Sequence, residues 1–429
     1  MDLVGRNCPF SFWFPIISSE IPDTLHNAAG PDQNKLSVGP VLRMKIALVG
    51  QIDVDRVADL VGSPAPFPVH SFPLTADLAR IFVNRGHSVR MVVLSSHSNA
   101  ELTTYGSREV SVSIVHQRRA RRAIPDWFRM EVLGVARAIE DYQPDAVSCH
   151  WTYEYARGVL RTRFPHVITA HDVPTRLFSM LRPRYYHWPR LMQGFLVSAR
   201  AKLMTAQSPY TLRLWKTEMR RRGPMCLVPN GVAPQLTAIS ASGGDANVPV
   251  FVSVNAGFQP RKNTKTLIKS FFILRRSYPS ARLRLYGSGF GQGEEANQWA
   301  SRRGLEGGVE FVGHTPNAQL VEELASTASV LVHPALEESF GMAVAEAMAI
   351  GLPVVGGRDS GAIPWLLDEG RAGFLCDVRS PADLADTMAR ALGTRNIAVA
   401  GKRRIAENFM LDKVADQYLE LLAQAADRS

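Results

Sequence analysis

Cysteine is scarce. Cys8, Cys149, Cys226 and Cys376 are scattered through 429 residues, with no spacing suited to a zinc site or a disulfide framework. That excludes a disulfide-stapled secreted domain and fits a reducing compartment. Long hydrophobic runs are missing too, since no stretch reaches the roughly 18 apolar residues of a spanning helix. The apolar segment Pro9 to Ile17 is short, contains two prolines and lacks the basic lead-in of a signal peptide. No repeat of roughly 20–50 residues is visible, which excludes a solenoid. Aromatic residues make up 8% and do not alternate with the basic ones, and no reader motif is present, so nucleic acid is not the expected partner. The glycine-rich stretch Gly287-Ser-Gly-Phe-Gly-Gln-Gly293 misses the dinucleotide fingerprint, because Gln292 stands where the third glycine belongs. Asp53-x-Asp55 is an isolated carboxylate pair and reads as a solvated turn; no metal site is expected.

What is present points to a two-domain α/β protein. The length suits two domains, and a net charge of +10 suits an anionic partner. The stretch the rest is organised around runs from Val330 to Gly357. Val330 to His333 is a short β-branched run, a buried strand. Ser339 is a candidate N-cap for a helix over Gly341 to Ile350, rich in Ala and Met. Gly351 and Pro353 end it, and Leu352 to Val355 forms the next strand. This βαβ unit puts a helix N-terminus at the carboxyl edge of a parallel sheet, a site suited to a diphosphate. Glu338 and Glu346 would repel the phosphates themselves, so they are expected to accept hydrogen bonds from hydroxyl groups, as a nucleotide-sugar offers.

Glu338-x7-Glu346, within E-S-F-G-M-A-V-A-E-A-M-A-x-G-L-P-V-V, resembles the signature of the retaining glycosyltransferases of family 4 (glycosyl transferases group 1), which have the GT-B fold. The resemblance implies two Rossmann-like domains facing each other across a cleft. It implies that Glu338 approaches the donor sugar and Glu346 the ribose, with the diphosphate over Phe340, Gly341 and Met342 and with Ser339 in the donor-binding set. His171, in the strand end Val167-Ile-Thr-Ala-His-Asp172, resembles the active-site histidine of that family. Lys262 corresponds to its phosphate-binding Lys, Arg261 either substitutes for its Arg or the clamp is thinner, and the glycines at Gly287 and Gly289 suit close approach of backbone to ligand. His150, Trp151 and Tyr153 would fall on the acceptor side. Two departures stand out. The loop after the first strand holds Gly62, Pro64, Pro66 and Pro68 in place of a glycine pair, and Phe258 stands near the position of the usual Arg.

The expected activity is transfer of a hexose-type sugar from a nucleoside-diphosphate donor to a glycan or lipid-linked acceptor, with retention and with neither metal nor cofactor. No nucleophilic carboxylate is obvious, so the expected route is front-face. Two other readings are a nucleotide-sugar 2-epimerase of the same fold, which would need no acceptor, and a non-catalytic nucleotide-sugar-binding adaptor. Residues 1–43 read as an unstructured or non-native extension ahead of Met44; 44–225 as the acceptor-side domain; 226–248 as a linker; 249–407 as the donor domain; and 408–429 as a helix crossing back. The basic cluster Arg118, Arg119, Arg121 and Arg122, followed by Trp127 and Phe128, suggests contact with an anionic membrane surface, hence a cytoplasmic enzyme peripheral on the inner face of the plasma membrane.

Overall fold

The computed structural model describes residues 43–427 apart from 67, 70, 71, 99, 181–183 and 246, so the expected extension lies, but for Arg43, outside the described residues. The first sheet contains β1 (Lys45–Val49), β2 (Ser88–Ser95), β3 (Leu102–Gly106), β4 (Val110–His116), β5 (Ala146–His150), β6 (His166–Ala170), β7 (Leu203–Ala206) and β8 (Met225–Leu227). Their spatial order is β3-β4-β2-β1-β5-β6-β7-β8, parallel except for β3. The second sheet contains β9 (Val250–Val254), β10 (Arg282–Tyr286), β11 (Val309–Gly313), β12 (Val330–His333), β13 (Val354–Gly357) and β14 (Phe374–Cys376). Its order is β11-β10-β9-β12-β13-β14, parallel throughout.

A parallel sheet is covered on both faces, and the strand sequences show it. In β1, Ala47 and Val49 enter one core while Ile46 and Leu48 enter the opposite one. The period of two therefore feeds two cores rather than a core and a solvent face. The second of these cores also takes Val414, Tyr418 and Leu422 from the last helix, Leu411–Asp427. Each such side chain contributes roughly 1.5–3 kcal/mol by burial. The chain crosses between the sheets twice, and the crossings are stitched together: the Val232 amide donates to the Phe409 carbonyl (2.7 Å) and the Leu411 amide to the Val232 carbonyl (3.0 Å).

In each sheet the strand order reverses at one strand, with later strands added first on one side and then on the other: β1 lies between β2 and β5, and β9 between β10 and β12. Ligands of doubly wound sheets bind outside the carboxyl ends of the strands at such switch points. The residues delivered there are His150 and His171 from the first sheet, and Asn255, His333 and the loop after β12 from the second. The antiparallel β3 and the helices Pro174–Met180, Arg184–Arg200 and Arg395–Asn408 were not anticipated from sequence. Among the described residues no helix is long and apolar enough to cross a membrane.

Candidate functional site

The loop after β12 is shaped by glycine. Gly341 has φ +99, and a Cβ there would stand 2.8 Å from the Ile363 Cδ1. The helix that follows spans Met342–Ala349, with Gly341 rather than Ser339 at its N-cap and no side chain capping it. Ser339 is committed elsewhere, which corrects the sequence reading. Its carbonyl accepts from the Ser208 hydroxyl (2.6 Å) and the Thr211 hydroxyl (3.3 Å), which come from the first half of the chain. The uncapped helix N-terminus borders a cleft of about 670 Å³, a size ordinary for a small-molecule site.

The carboxyl ends of β9 and β12 bring the charges together. Asn263, at φ +53, donates its side-chain amide to the Pro334 carbonyl (3.1 Å) and the Val378 carbonyl (2.7 Å), pinning the turn that carries Arg261 and Lys262. The Lys262 Nζ lies 2.8 Å from the Glu338 Oε2; the His333 Nε2 lies 3.4 Å and an Arg261 nitrogen 3.9 Å from the same oxygen. Burial disfavours the charge on Glu338, yet Lys262, His333 and Arg261 outweigh it and hold the carboxyl well below the usual carboxylate range. Glu337, one residue earlier, meets the opposite fate. Burial pushes it up to about 7, with Arg261 opposing and Glu338 and Asp172 adding to the rise. Arg261 donates to its carbonyl at 2.9 Å. Glu346 lines the same cleft, and burial raises it to about 7, with Arg56 opposing and Asp77 reinforcing.

Gly287 is forced by close approach: at φ +113, a Cβ would fall 1.8 Å from the Asn255 carbonyl oxygen. It lines the cleft with Ser339, Phe340, Gly341 and Met342. Gly289 does not; it sits against the Phe258 backbone, where a Cβ would come 3.1 Å from the amide nitrogen. The Phe258 ring belongs to an aromatic cluster with Phe290 (6.1 Å between centroids) and Trp299 (6.0 Å). The cations lining the cleft are Arg261 and Lys262. Among the described residues no group of three or more His, Cys, Asp or Glu side chains converges as metal ligands would.

Across the cleft stands the first sheet's edge. His171 lines it, flanked by Trp151 (ring centroids 4.6 Å apart) and Phe72 (5.3 Å). Trp151 has φ +75, a strained conformation for a bulky residue and one that turns its ring onto His171. Of the acceptor-side set, only Trp151 lines the cleft. His150 is fully buried behind His171, with its Nδ1 2.8 Å from the His171 Nε2. Tyr153 is also buried, and its hydroxyl donates to the Asp172 Oδ1 at 2.7 Å. Burial lowers His171 to about 4 and raises Asp172 to about 6. Sequence reasoning passed over Glu337, His333 and Phe72. His333 ends a strand at the carboxyl edge, the same signal that marked His171, and so was legible in principle.

The basic cluster divides. Arg118 is a strut, paired with Asp126 (2.8 Å) and with the fully buried Glu131 (2.7 Å), and is not available to a membrane. Arg119, Arg121 and Arg122 are exposed, and so are Trp127 (44%), Met130 (45%) and Leu133 (39%). Trp127 and Phe128 both have φ near +60, which points one ring outward and buries the other.

Residues 74–236 match the family described as Glycosyltransferase Family 4, and residues 237–407 the family described as Glycosyl transferases group 1. The D-inositol 3-phosphate glycosyltransferase of Nocardioides sp. is 32% identical over 184 residues, which are 39% of this chain and 40% of that protein. The N-acetyl-alpha-D-glucosaminyl L-malate synthase of Bacillus anthracis is 32% identical over 118 residues, 27% of this chain and 30% of that one. The chain thus spans less than half the length of these curated relatives. Sucrose-phosphate synthase from Thermosynechococcus elongatus superposes with a TM-score of 0.73 at 19% identity, over 90% of this chain and 100% of that one. HepE from Anabaena, solved in complex with UDP and glucose, superposes with a TM-score of 0.65 at 20% identity, over 89% and 100%. His171 falls in one matched segment and Glu338 in the other, so the two walls of the cleft are accounted for together: the chain belongs to glycosyltransferase family 4, the glycosyl transferases of group 1, and has the GT-B fold.

Proposed function

We propose that the chain transfers a hexose-type sugar from a nucleoside-diphosphate donor to a hydroxyl of a glycan or lipid-linked acceptor, with retained configuration and without a metal. The observation that carries this is the pairing of an uncapped helix N-terminus with Arg261, Lys262 and Glu338 on one wall of a cleft whose other wall presents His171. The diphosphate takes the helix N-terminus and the two cations; Glu338 accepts from a sugar hydroxyl and Glu346 from the ribose. As the bond from the anomeric carbon to the phosphate oxygen breaks, the acceptor oxygen bonds to the same face. Its proton passes to the leaving phosphate. Lys262, Arg261 and the helix dipole stabilise the charge developing there.

The UDP in the HepE complex makes uridine diphosphate and its sugars the first donors to try. The test is a thermal-shift panel of nucleoside diphosphates and nucleotide-sugars without metal, on the wild type and on Glu346→Ala. A donor at about 100 times its dissociation constant adds ~2.7 kcal/mol. The expected result is one stabilising nucleotide whose effect the substitution weakens; a flat panel overturns the reading. We further propose that Arg119, Arg121, Arg122 and Trp127 rest on an anionic membrane face, which places the enzyme on the cytoplasmic side, where nucleotide-sugar donors and lipid-linked acceptors meet.

A further inference from the structure

His150 reaches neither cleft nor solvent, yet its ring touches the His171 ring, and nothing in the transfer scheme uses it. The contacts around the pair settle which nitrogen of each ring carries the hydrogen. The Gln207 amide nitrogen donates to the His171 backbone carbonyl at 2.6 Å, which fixes the amide's orientation. The end left over is the Gln207 oxygen, buried and without a donor. His171 Nδ1 is likewise buried and without a partner, and Gln207 is the group that eases protonation of that ring. A carbonyl oxygen can only accept, so Nδ1 serves it as N–H. The His171 Nε2 is then a lone pair and accepts from His150 Nδ1–H at 2.8 Å. That leaves the His150 Nε2 as a lone pair, met by the Ser148 hydroxyl at 3.4 Å. Among the described residues Ser148 has no other side-chain hydrogen bond. Run the other way, the chain would set a His171 lone pair against the Gln207 oxygen, two acceptors facing each other in a buried site, which is costly.

We propose that Ser148, His150 and Gln207 are positioning residues that lock His171 as the neutral Nδ1–H tautomer, leaving it no free lone pair with which to take a proton from the acceptor. The order of donation is Ser148 O–H to His150, His150 N–H to His171, and His171 N–H to Gln207. Trp151 and Phe72 hold the ring's faces, and Tyr418 packs on His150 at 5.4 Å, so neither ring is free to flip. With its Nε2 lone pair filled by His150 and its Nδ1 buried as N–H, His171 cannot act as general base. The consequence for catalysis rests on the glycosyltransferase reading, whereas the tautomer itself does not.

The experiment is long-range proton–nitrogen correlation NMR on the full chain labelled with 15N-histidine, at pH 7.5. Signals are assigned by their loss in His171→Asn and His150→Asn. Free neutral histidine favours the Nε2–H form, so two Nδ1–H histidines would be a distinctive pattern. That pattern for His150 and His171 is the expected result. An Nε2–H form for either ring in the wild type overturns the proposal, whatever the variants do. Gln207→Leu removes the acceptor that selects N–H at Nδ1 and should let His171 take the Nε2–H form, while His150→Phe leaves that acceptor in place and should keep His171 as Nδ1–H. An unchanged Nδ1–H signal for His171 in Gln207→Leu, or a switch to Nε2–H in His150→Phe, would overturn the order of donation. The nucleotide panel above is read separately, so failure of one leaves the other standing.

Discussion

Lys262 does two jobs in this structure, and one substitution separates them. It neutralises Glu338 at 2.8 Å in the free protein, and in the proposed complex it meets the diphosphate. Lys262→Met keeps most of the aliphatic stem and removes the charge. Glu338 then stays in place with its nearest cation gone. Breaking a buried pair by removing one partner costs about 3–5 kcal/mol. These side chains retain 12% and 17% exposure, so the lower end applies. About 3 kcal/mol corresponds to a fall of ~6–12 °C in the melting of a domain this size. The pH dependence follows from the sign of the shift. In the wild type Glu338 is held below its ordinary 4.5, so its contribution is present above that value and lost as pH falls. Without Lys262 the carboxyl rises and folding costs least when it is protonated, so the variant's deficit should shrink below pH ~4.5. Adding Glu338→Gln should recover most of the stability, because no buried charge is then stranded. It should not recover donor binding. The lost charge-assisted bond to phosphate is worth about 1.5–3 kcal/mol, roughly ten- to hundredfold in dissociation constant. Differential scanning calorimetry and titration with uridine diphosphate read the two effects apart. A double variant as unstable as Lys262→Met would refute the account of the pair, and undiminished binding would refute the phosphate role.

Three further outcomes follow from the same physics. Glu346, raised to about 7 by burial, holds a proton that the unfolded chain releases from 4.5 upward, so its burial erodes stability as pH rises through that window. Glu346→Gln should therefore gain on the wild type by on the order of 2 kcal/mol between pH 5 and pH 8 in denaturant titrations; a flat difference would contradict it. Arg118→Ala should cost about 3 kcal/mol, because Glu131 loses its cationic partner while fully buried and keeps only the backbone N–H of residue 118. Arg121→Ala and Arg122→Ala should leave folding within about 0.5 kcal/mol but weaken sedimentation with anionic vesicles by ~1 kcal/mol each. Equal vesicle binding by all variants would remove the membrane proposal.

The parts of this molecule legible in sequence are those whose causes are local. The unit from Val330 to Gly357 announces itself because strand, glycine turn and helix are each set by neighbours within a few positions. Ser339 was misread because its partners, Ser208 and Thr211, lie 131 and 128 positions away. Residue type alone cannot say that a serine beside a helix will be held by its carbonyl and leave the cap to Gly341. Arg118 looked like one of four equivalent surface cations until folding set it beside a buried carboxylate. Glu337 and Glu338 are adjacent and chemically identical, yet the positions of Lys262, His333 and Arg261 make Glu338 strongly acidic, while burial leaves Glu337 easily protonated. The helix Arg184–Arg200 hid behind an internal proline and a run of aromatics that argue against helix. His150 seemed to belong to the acceptor because it ends a strand; that it faces another histidine depends on the register of β5 against β6.

The last helix has a consequence for how the protein comes into being. Tyr418 closes the core under β1 and shares a hydrogen bond with Thr169, 249 residues earlier. At a synthesis rate of about 5–20 residues per second, β6 waits ~12–50 s for that partner to be made. Throughout that interval the first sheet has one face without its final cover, while the second sheet can finish folding on its own strands. The first sheet is thus completed only after the second has been made, and the growing chain depends on the helix Leu411–Asp427 to shield the core under β1.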